Sequence, residues 1–282
     1  MWTPYYFERR RYYHAQRDGA HTQEESFSFP NQRLAPSVDL RMWMTPITNQ
    51  NNTRTCCANA FAAICEYLIR RTNNRPFTQT SIILSHLFIY FNGRMKEQHT
   101  RHVRDLGVFQ RSVALGIREY GACEEEFWSS RWHSLREQPH RTAYQQARKY
   151  TAVLLRVPIT IEAIETCLHN QIPVPIDIIM DDETVQIITT NNGFLDVRRL
   201  NDNTIDVRNL HTVLIVGYDR RKQHFIMRNS WGTNWGSDGY FYVPYSFLSR
   251  RERINCTDTL WTIRRIEPRK HRLPNISRLV LQ

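Results

Sequence analysis

The hydrophobic pattern of this 282-residue chain changes its period half-way along, and that change limits the folds open to it. From Thr55 to about Tyr150 the apolar residues keep helical spacing. Phe61, Ile64, Cys65 and Leu68 stand at i, i+3, i+4 and i+7 and mark one apolar helix face. Residues 81–90 and 109–120 read as two more helices, the second stopped by Gly121. Later come short runs rich in Val, Ile, Tyr and Trp, separated by turn residues: 173–180, 212–218, 225–228, 240–243 and 260–264. One helix over 161–169, capped by Thr160, interrupts them. Helices first and strands later predict an α+β protein of two packed halves, with a site in the cleft between them.

Residues 1–35 are rich in Arg, Gln and aromatics without clean periodicity and read as an N-terminal arm. The expected domain covers 36–266, with a helical half at about 55–150 and a β-rich half at about 151–266 joined by 36–50. The tail, 267–282, is basic and punctuated by proline. With 41% hydrophobic residues the composition is that of a globular protein, and no run approaches the roughly 20 apolar residues that span a bilayer.

The net charge is +11, and Lys96, Lys149, Lys222 and Lys270 are the only lysines. Arginine therefore carries the excess, a bias that suits forked recognition of carboxylates and phosphates. The arginines concentrate modestly at 9–11 and over 250–278, which reads first as a solvated, solubilising surface and, as the alternative, as a site for an anionic or assembly partner at the termini. Their spread along the chain argues against a nucleic-acid stripe. The six cysteines are Cys56, Cys57, Cys65, Cys123, Cys167 and Cys256. Two are adjacent and a third falls on the same expected helix, an arrangement that suits free thiols better than a disulfide framework. No apolar leader with a small-residue cleavage site opens the sequence, so a reducing compartment is expected: the cytoplasm or the interior of a viral particle. His99-x-x-His102 alone is a weak metal signal, and no metal cofactor is expected.

Two segments carry chemistry. Cys56 follows the polar stretch 49–55 and opens the first amphipathic helix, where unpaired N–H groups and the helix dipole favour a thiolate. Further on, the apolar runs 210–218 and 225–228 flank the polar turn 219–224 and predict a hairpin. A turn centred near Arg220 sets His211 and Asn229 opposite each other, with Cβ atoms about 5 Å apart. The Asn carbonyl can then accept from one ring nitrogen and leave the other for a thiolate, the arrangement of nucleophile, base and orienter in covalent hydrolysis.

These residues resemble the papain family of cysteine proteases. Gln50 stands six residues before Cys56, as the oxyanion glutamine stands before the family's nucleophile. His211 begins His-Thr-Val-Leu-Ile-Val-Gly-Tyr, similar to the strand that carries the family's base. Asn229-Ser-Trp-Gly-Thr-Asn-Trp-Gly-Ser-Asp-Gly-Tyr-Phe241 is close to the family's Asn-Ser-Trp-Gly segment almost letter for letter. The resemblance spans about 36–266 and extends to a non-secreted, divergent branch that includes unusual members from large DNA viruses.

The resemblance implies a two-lobed fold and a cysteine peptidase acting on peptides or proteins with a reduced thiol. Cys56 would be the nucleophile, a thiolate paired with His211 as imidazolium, with His211 the base and Asn229 its orienter. Trp231 would shield the His–Asn bond, Gln50 would donate to the oxyanion, and Gly107 would run beside the substrate. The stretch 173–176 would contribute to a pocket wall. Arg54 and Cys57 depart from the Gly and Trp usual beside the nucleophile, and Arg54 would narrow the cleft or read an acidic group. The alternative is a catalytically silent scaffold or a structural component of a larger assembly.

Overall fold

The computed structural model describes residues 24–74, 81–98, 103–131, 133–202, 205–254 and 259–268. Its helices are α1 (Cys56–Thr72), α2 (His86–Gln98), α3 (Gln110–Tyr120), α4 (Arg141–Ala147), α5 (Ile161–His169) and α6 (Asp182–Thr190). Its strands are β1 (Glu24–Glu25), β2 (Ser37–Asp39), β3 (Thr151–Pro158), β4 (Val174–Ile179), β5 (Leu210–Asp219), β6 (His224–Arg228), β7 (Tyr240–Pro244) and β8 (Thr259–Glu267). The fold is α+β, with α1–α4 packed against the half that holds most of the strands.

Every residue of α1 from Cys57 to Arg70 is buried, and the helix packs on α2, α3, β5 and β8. A helix covered on all sides lies between layers, and alanines at 58, 60, 62 and 63 let its neighbours come close. Helix α2 starts five residues later than the sequence pattern suggests, because Ser85 caps it by accepting the Phe88 N–H at 3.1 Å. It also runs on to Gln98, since nothing in 91–98 breaks a helix. Helix α3 ends as expected at Gly121, whose φ of +84° suits glycine and where an added Cβ would sit 1.9 Å from the Ala147 carbonyl oxygen. Thr160 caps α5 by accepting from the Ala163 N–H at 3.1 Å.

Several elements were not expected, among them β1, α4, β3 and α6. Strand β3 is buried at most positions, and its continuous apolar run lacks the alternation that distinguishes a strand. Helix α6 begins at a capping aspartate: Asp181 accepts from the Thr184 N–H at 2.9 Å.

Strand β5 organises the larger sheet. Antiparallel β6 takes its residues 214–219, so β4 on 210–215 and β2 on 217–219 share its other edge. Strand β7 continues the sheet beyond β6, while β3 lies between parallel β1 and antiparallel β8. The 24–35 stretch docks away from His211. Glu24–Glu25 pairs with β3, and the Ala35 carbonyl accepts the Tyr218 hydroxyl at 3.0 Å, seven residues along β5 from His211 and so about 23 Å away.

Buried charges tie the layers together. Glu66 of α1 accepts from the Thr45 hydroxyl at 2.5 Å and the Leu84 N–H at 2.8 Å, while Arg228 of β6 donates to the Thr45 and Pro46 carbonyls. Arg253, wholly buried, pairs with Asp181, Asp202 and Glu183. Arg250 bonds Asp202, and Arg264 and Arg265 bond Glu25. These arginines of the 250–278 stretch are thus occupied by the protein's own carboxylates; Arg9–Arg11 and the tail from 269 lie outside the described residues. Removing one member of a buried ionic cluster strands the others. Arg253→Ala should therefore lower unfolding free energy by about 3–5 kcal/mol in urea denaturation, and a loss under about 1 kcal/mol would contradict this role.

Candidate active site

The site forms where β5 begins and β6 ends. His211 and Asn229 do not stand directly opposite each other, as the sequence suggested. A bulge slips the register between Ile215 and Gly217, giving Leu214↔Arg228 below it and Tyr218↔Phe225 above it. One step beyond β6, Asn229 lies level with Val213, diagonal to His211 on the same face. A diagonal spacing of about 7–8 Å is still within side-chain reach. The contact forms all the same: His211 Nε2 lies 2.7 Å from Asn229 Oδ1, with both residues buried.

The orientation of this pair follows from its neighbours. The Ser230 N–H can only donate, and at 2.8 Å it makes the facing Asn229 atom the carbonyl oxygen. That oxygen can only accept, so Nε2 carries the proton and Nδ1 is the basic nitrogen of the neutral ring. The Asn229 N–H donates to the Gly239 carbonyl at 3.0 Å. Gly239 has a φ of +82° and lies so close to Ile47 that a Cβ would meet it at 2.6 Å. The Trp231 ring lies 4.7 Å from the His211 ring, with Trp235 edge-on to it at 5.0 Å.

Cys56 comes to this place on the first turn of α1. Its N-cap residue, Thr55, makes no side-chain cap bond to the helix. Its hydroxyl instead meets Thr53 at 2.7 Å and the Asn59 amide at 3.1 Å. The first N–H groups of α1 therefore keep their capacity to bind negative charge. Cys56 is half-buried and Cys57 fully buried. Burial pushes the Cys56 thiol upward, while the Thr212 backbone, the Thr212 hydroxyl and the Cys57 backbone pull it back down and the nearby Asp177 charge adds to the upward push. Burial pushes His211 down to about 4, against the upward pull of the Asn229 bond and the Asp177 charge. Burial thus weighs against the charged form of each group, and the neighbouring hydrogen-bonding groups weigh for it.

Gln50 is placed by a short strand-like contact in which Asn49 bridges Trp231 and the Gln50 N–H donates to the Ser230 carbonyl at 2.9 Å. Its Oε1 accepts the Ser230 hydroxyl at 2.6 Å. The Thr53 carbonyl, which can only accept, fixes the amide with Nε2 as the donor to it at 2.7 Å. Arg54 is exposed, and its backbone N–H donates to the Asp105 carboxylate at 3.1 Å. Asp105 also accepts the Tyr90 hydroxyl at 2.8 Å, which ties the loop before α1 to the loop carrying Gly107. The Gly107 N–H donates to the Tyr90 hydroxyl and its carbonyl accepts from Arg94. His211, Asn229, Gln50 and Trp231 thus meet around Ser230, Cys56 lies near Thr212 and Asp177, which follow and flank His211 on β5 and β4, and Arg54 and Gly107 are linked through Asp105 and Tyr90. His99 and His102 lie outside the described residues. No group of three or more His, Cys, Asp or Glu among the described residues could hold a metal.

Comparison with known proteins decides the family. The papain family cysteine protease profile matches residues 34–247, most of the chain. This chain belongs to the papain family of cysteine proteases. An uncharacterised peptidase C1-like protein of Acanthamoeba polyphaga mimivirus is 27% identical over 227 residues, 77% of this chain and 69% of that protein. Peptidase 1 of Dermatophagoides pteronyssinus is 25% identical over 75% of this chain and 62% of its own length. Xylellain, a cysteine protease from Xylella fastidiosa, superposes with a TM-score of 0.70 at 27% identity, covering 88% of this chain and 94% of that one. Procathepsin L 3 of Tenebrio molitor shares the papain fold at 19% identity, with a TM-score of 0.66 over 88% of this chain and 75% of its own.

Sequence reasoning missed Asp177 and Thr212. The stretch expected to wall a pocket was 173–176, yet the carboxylate beside Cys56, Cys57 and His211 is the next residue, Asp177. An Asp inside Val-Pro-Ile-Asp-Ile-Ile was the available signal, since a carboxylate in a wholly buried strand needs a partner.

The depressed His211 titration has a consequence for this papain-family member's stability. Between pH 6.5 and 4 the unfolded chain takes up a proton that folded His211 refuses. The stabilisation is complete above the unfolded value and is lost as pH falls through the folded one. His211→Gln should flatten that part of the urea-midpoint profile, removing on the order of 1–3 kcal/mol of pH dependence. Parallel profiles for the two proteins would contradict it.

Proposed function

We propose that this papain-family chain hydrolyses peptide bonds in peptides or proteins through Cys56, with His211 as its base and Asn229 as the orienter. The reading rests on the Asn229-held tautomer of His211, which leaves Nδ1 for a thiol delivered at the uncapped start of α1. Attack begins as the Cys56 proton passes to Nδ1 and the thiolate adds to the scissile carbonyl. The imidazolium then protonates the leaving amine, and water with His211 as general base releases the acid and restores the thiol.

The carbonyl oxygen gains negative charge in the first step. The Cys56 backbone N–H, in the first turn of a helix, and the second Nε2 hydrogen of Gln50 supply the donors. Trp231 packs over the His211 ring and limits water at the His–Asn bond, which keeps that bond strong. Arg54 and the Gly107 loop, joined through Asp105, form one wall of the cleft. Both main-chain groups of Gly107 are engaged by Tyr90 and Arg94, so its part is to shape that wall. The chemistry needs a reduced thiol, in keeping with a reducing location.

A mixed peptide library incubated with reduced protein tests the reading. Cys56→Ala should abolish turnover, and Gln50→Ala should lower kcat/KM by about 10²–10³. Equal cleavage by Cys56→Ala would reject the assignment. A folded wild-type protein that neither cuts peptides nor is labelled at Cys56 would point to a silent scaffold.

A further inference from the structure

A small cavity lies behind the His211–Asn229 pair, where α1 passes the start of β5 and the end of β6. Asn59 and Asn229 line it together with Ala60, Thr48, Thr212 and Ser230. It gives the centre of a water-sized sphere about 10 Å³, enough to hold a water molecule.

Both asparagine amides are fixed by their neighbours. Asn59, three residues after Cys56, donates its Nδ2 to the Thr55 carbonyl at 3.0 Å and to the Thr55 hydroxyl at 3.1 Å. A carbonyl only accepts, so the nitrogen faces Thr55 and Oδ1 faces away from it. Asn229 is fixed the other way round: its Oδ1 takes the Ser230 N–H and His211 Nε2, which turns Nδ2 away. Asn59 Oδ1 and Asn229 Nδ2 remain, one acceptor and one donor. Both atoms are buried, in residues that are each 3% exposed, and neither has a hydrogen-bond partner among the described residues. Burial without a partner is costly for either group, and a water is the smallest molecule that serves both.

We propose that Asn59 is a positioning residue for the His211–Asn229 pair, acting through one buried water that accepts from Asn229 Nδ2 and donates to Asn59 Oδ1. The proposal rests on the reading of His211 as the base of Cys56 and deepens it. The water's remaining hydrogen and lone pair have polar neighbours in Thr48, Thr212 and Ser230, which line the same space. Thr55 precedes Cys56 and is held by Asn59. One chain of hydrogen bonds therefore runs from the turn bearing the nucleophile to the carboxamide that sets the imidazole tautomer. It holds α1 against the β5–β6 end at the point where sulfur must meet Nδ1.

Crystals of the reduced wild-type protein read the water directly. Ordered density within about 2.7–3.2 Å of both Asn59 Oδ1 and Asn229 Nδ2 is expected. A direct contact between the two amides, or a cavity without ordered density, would overturn the proposal.

Two variants then disturb the bridge in different ways. Asn59→Leu removes the acceptor, and with it the donors to Thr55, at similar volume. Ala60→Val fills the cavity and leaves the Asn59–Thr55 bonds in place. In each, kcat on a peptide substrate should fall by about 3–10-fold at unchanged KM, and the His211 Nε2–H, followed by proton NMR, should exchange with solvent faster by a similar factor. The double variant should lose no more than the larger single, because both changes remove one bridge. Losses that multiply in the double variant, or a raised KM with kcat intact, would show separate structural roles and overturn the proposal. The crystal and NMR readouts need no turnover. An ordered water and quickened exchange in a protein that cuts nothing would reject the catalytic reading alone. Turnover with no water between the amides would reject the proposal alone.

Discussion

One carboxamide oxygen governs the site. Asn229 Oδ1 takes the Ser230 N–H and the His211 Nε2–H together, and those two donors decide which way the amide faces and which imidazole tautomer is present. An imidazole free to turn would offer either nitrogen to the thiol; this one offers a single nitrogen in one ring plane. The oxygen is placed by the slipped β5–β6 register and by the Gly239 carbonyl, and the bond is kept dry by Trp231 and Trp235. Removing any of these supports lets the ring turn.

Around this fixed pair, burial and charge stabilisation oppose each other. Desolvation is the largest influence on both Cys56 and His211, and it favours the uncharged form of each. The helix N-terminus, the Asn229 bond and the surrounding N–H groups favour the charged forms. The two titrations are coupled, since a proton leaving sulfur for nitrogen creates two opposite charges that stabilise each other. The low dielectric that makes the resting charges costly also strengthens the donors aimed at the oxyanion.

Much of this was legible in the sequence because it depends on local pattern. The helix after Cys56 and the apolar runs either side of 219–224 are periodic features, and Gln50, Cys56, His211, Asn229 and Trp231 fall in contiguous motifs. What escaped depends on contacts distant in the chain. The hairpin is centred between Arg221 and Lys222, where Asp219 faces His224, and a bulge between Ile215 and Gly217 shifts the register by one, so symmetric counting about Arg220 misplaced Asn229 opposite His211. Strand β3 has no alternation because both of its faces are covered, and α2 starts where Ser85 can cap it. Asp177 acquires its meaning from Thr212, 35 residues away, through strand register alone. The buried Glu66–Thr45–Arg228 tie, which links α1 to the strand that ends one residue before Asn229, is likewise invisible to spacing.

The central claim, that His211 held by Asn229 activates the Cys56 sulfur, is tested most directly by covalent capture. The reduced protein is treated with a peptidyl epoxide and the adduct located by tryptic mass mapping, in parallel with His211→Ala. The account predicts one adduct, at Cys56, forming about 10²–10⁴-fold more slowly in the variant. An adduct at the neighbouring Cys57, or equal rates with and without the imidazole, would contradict it.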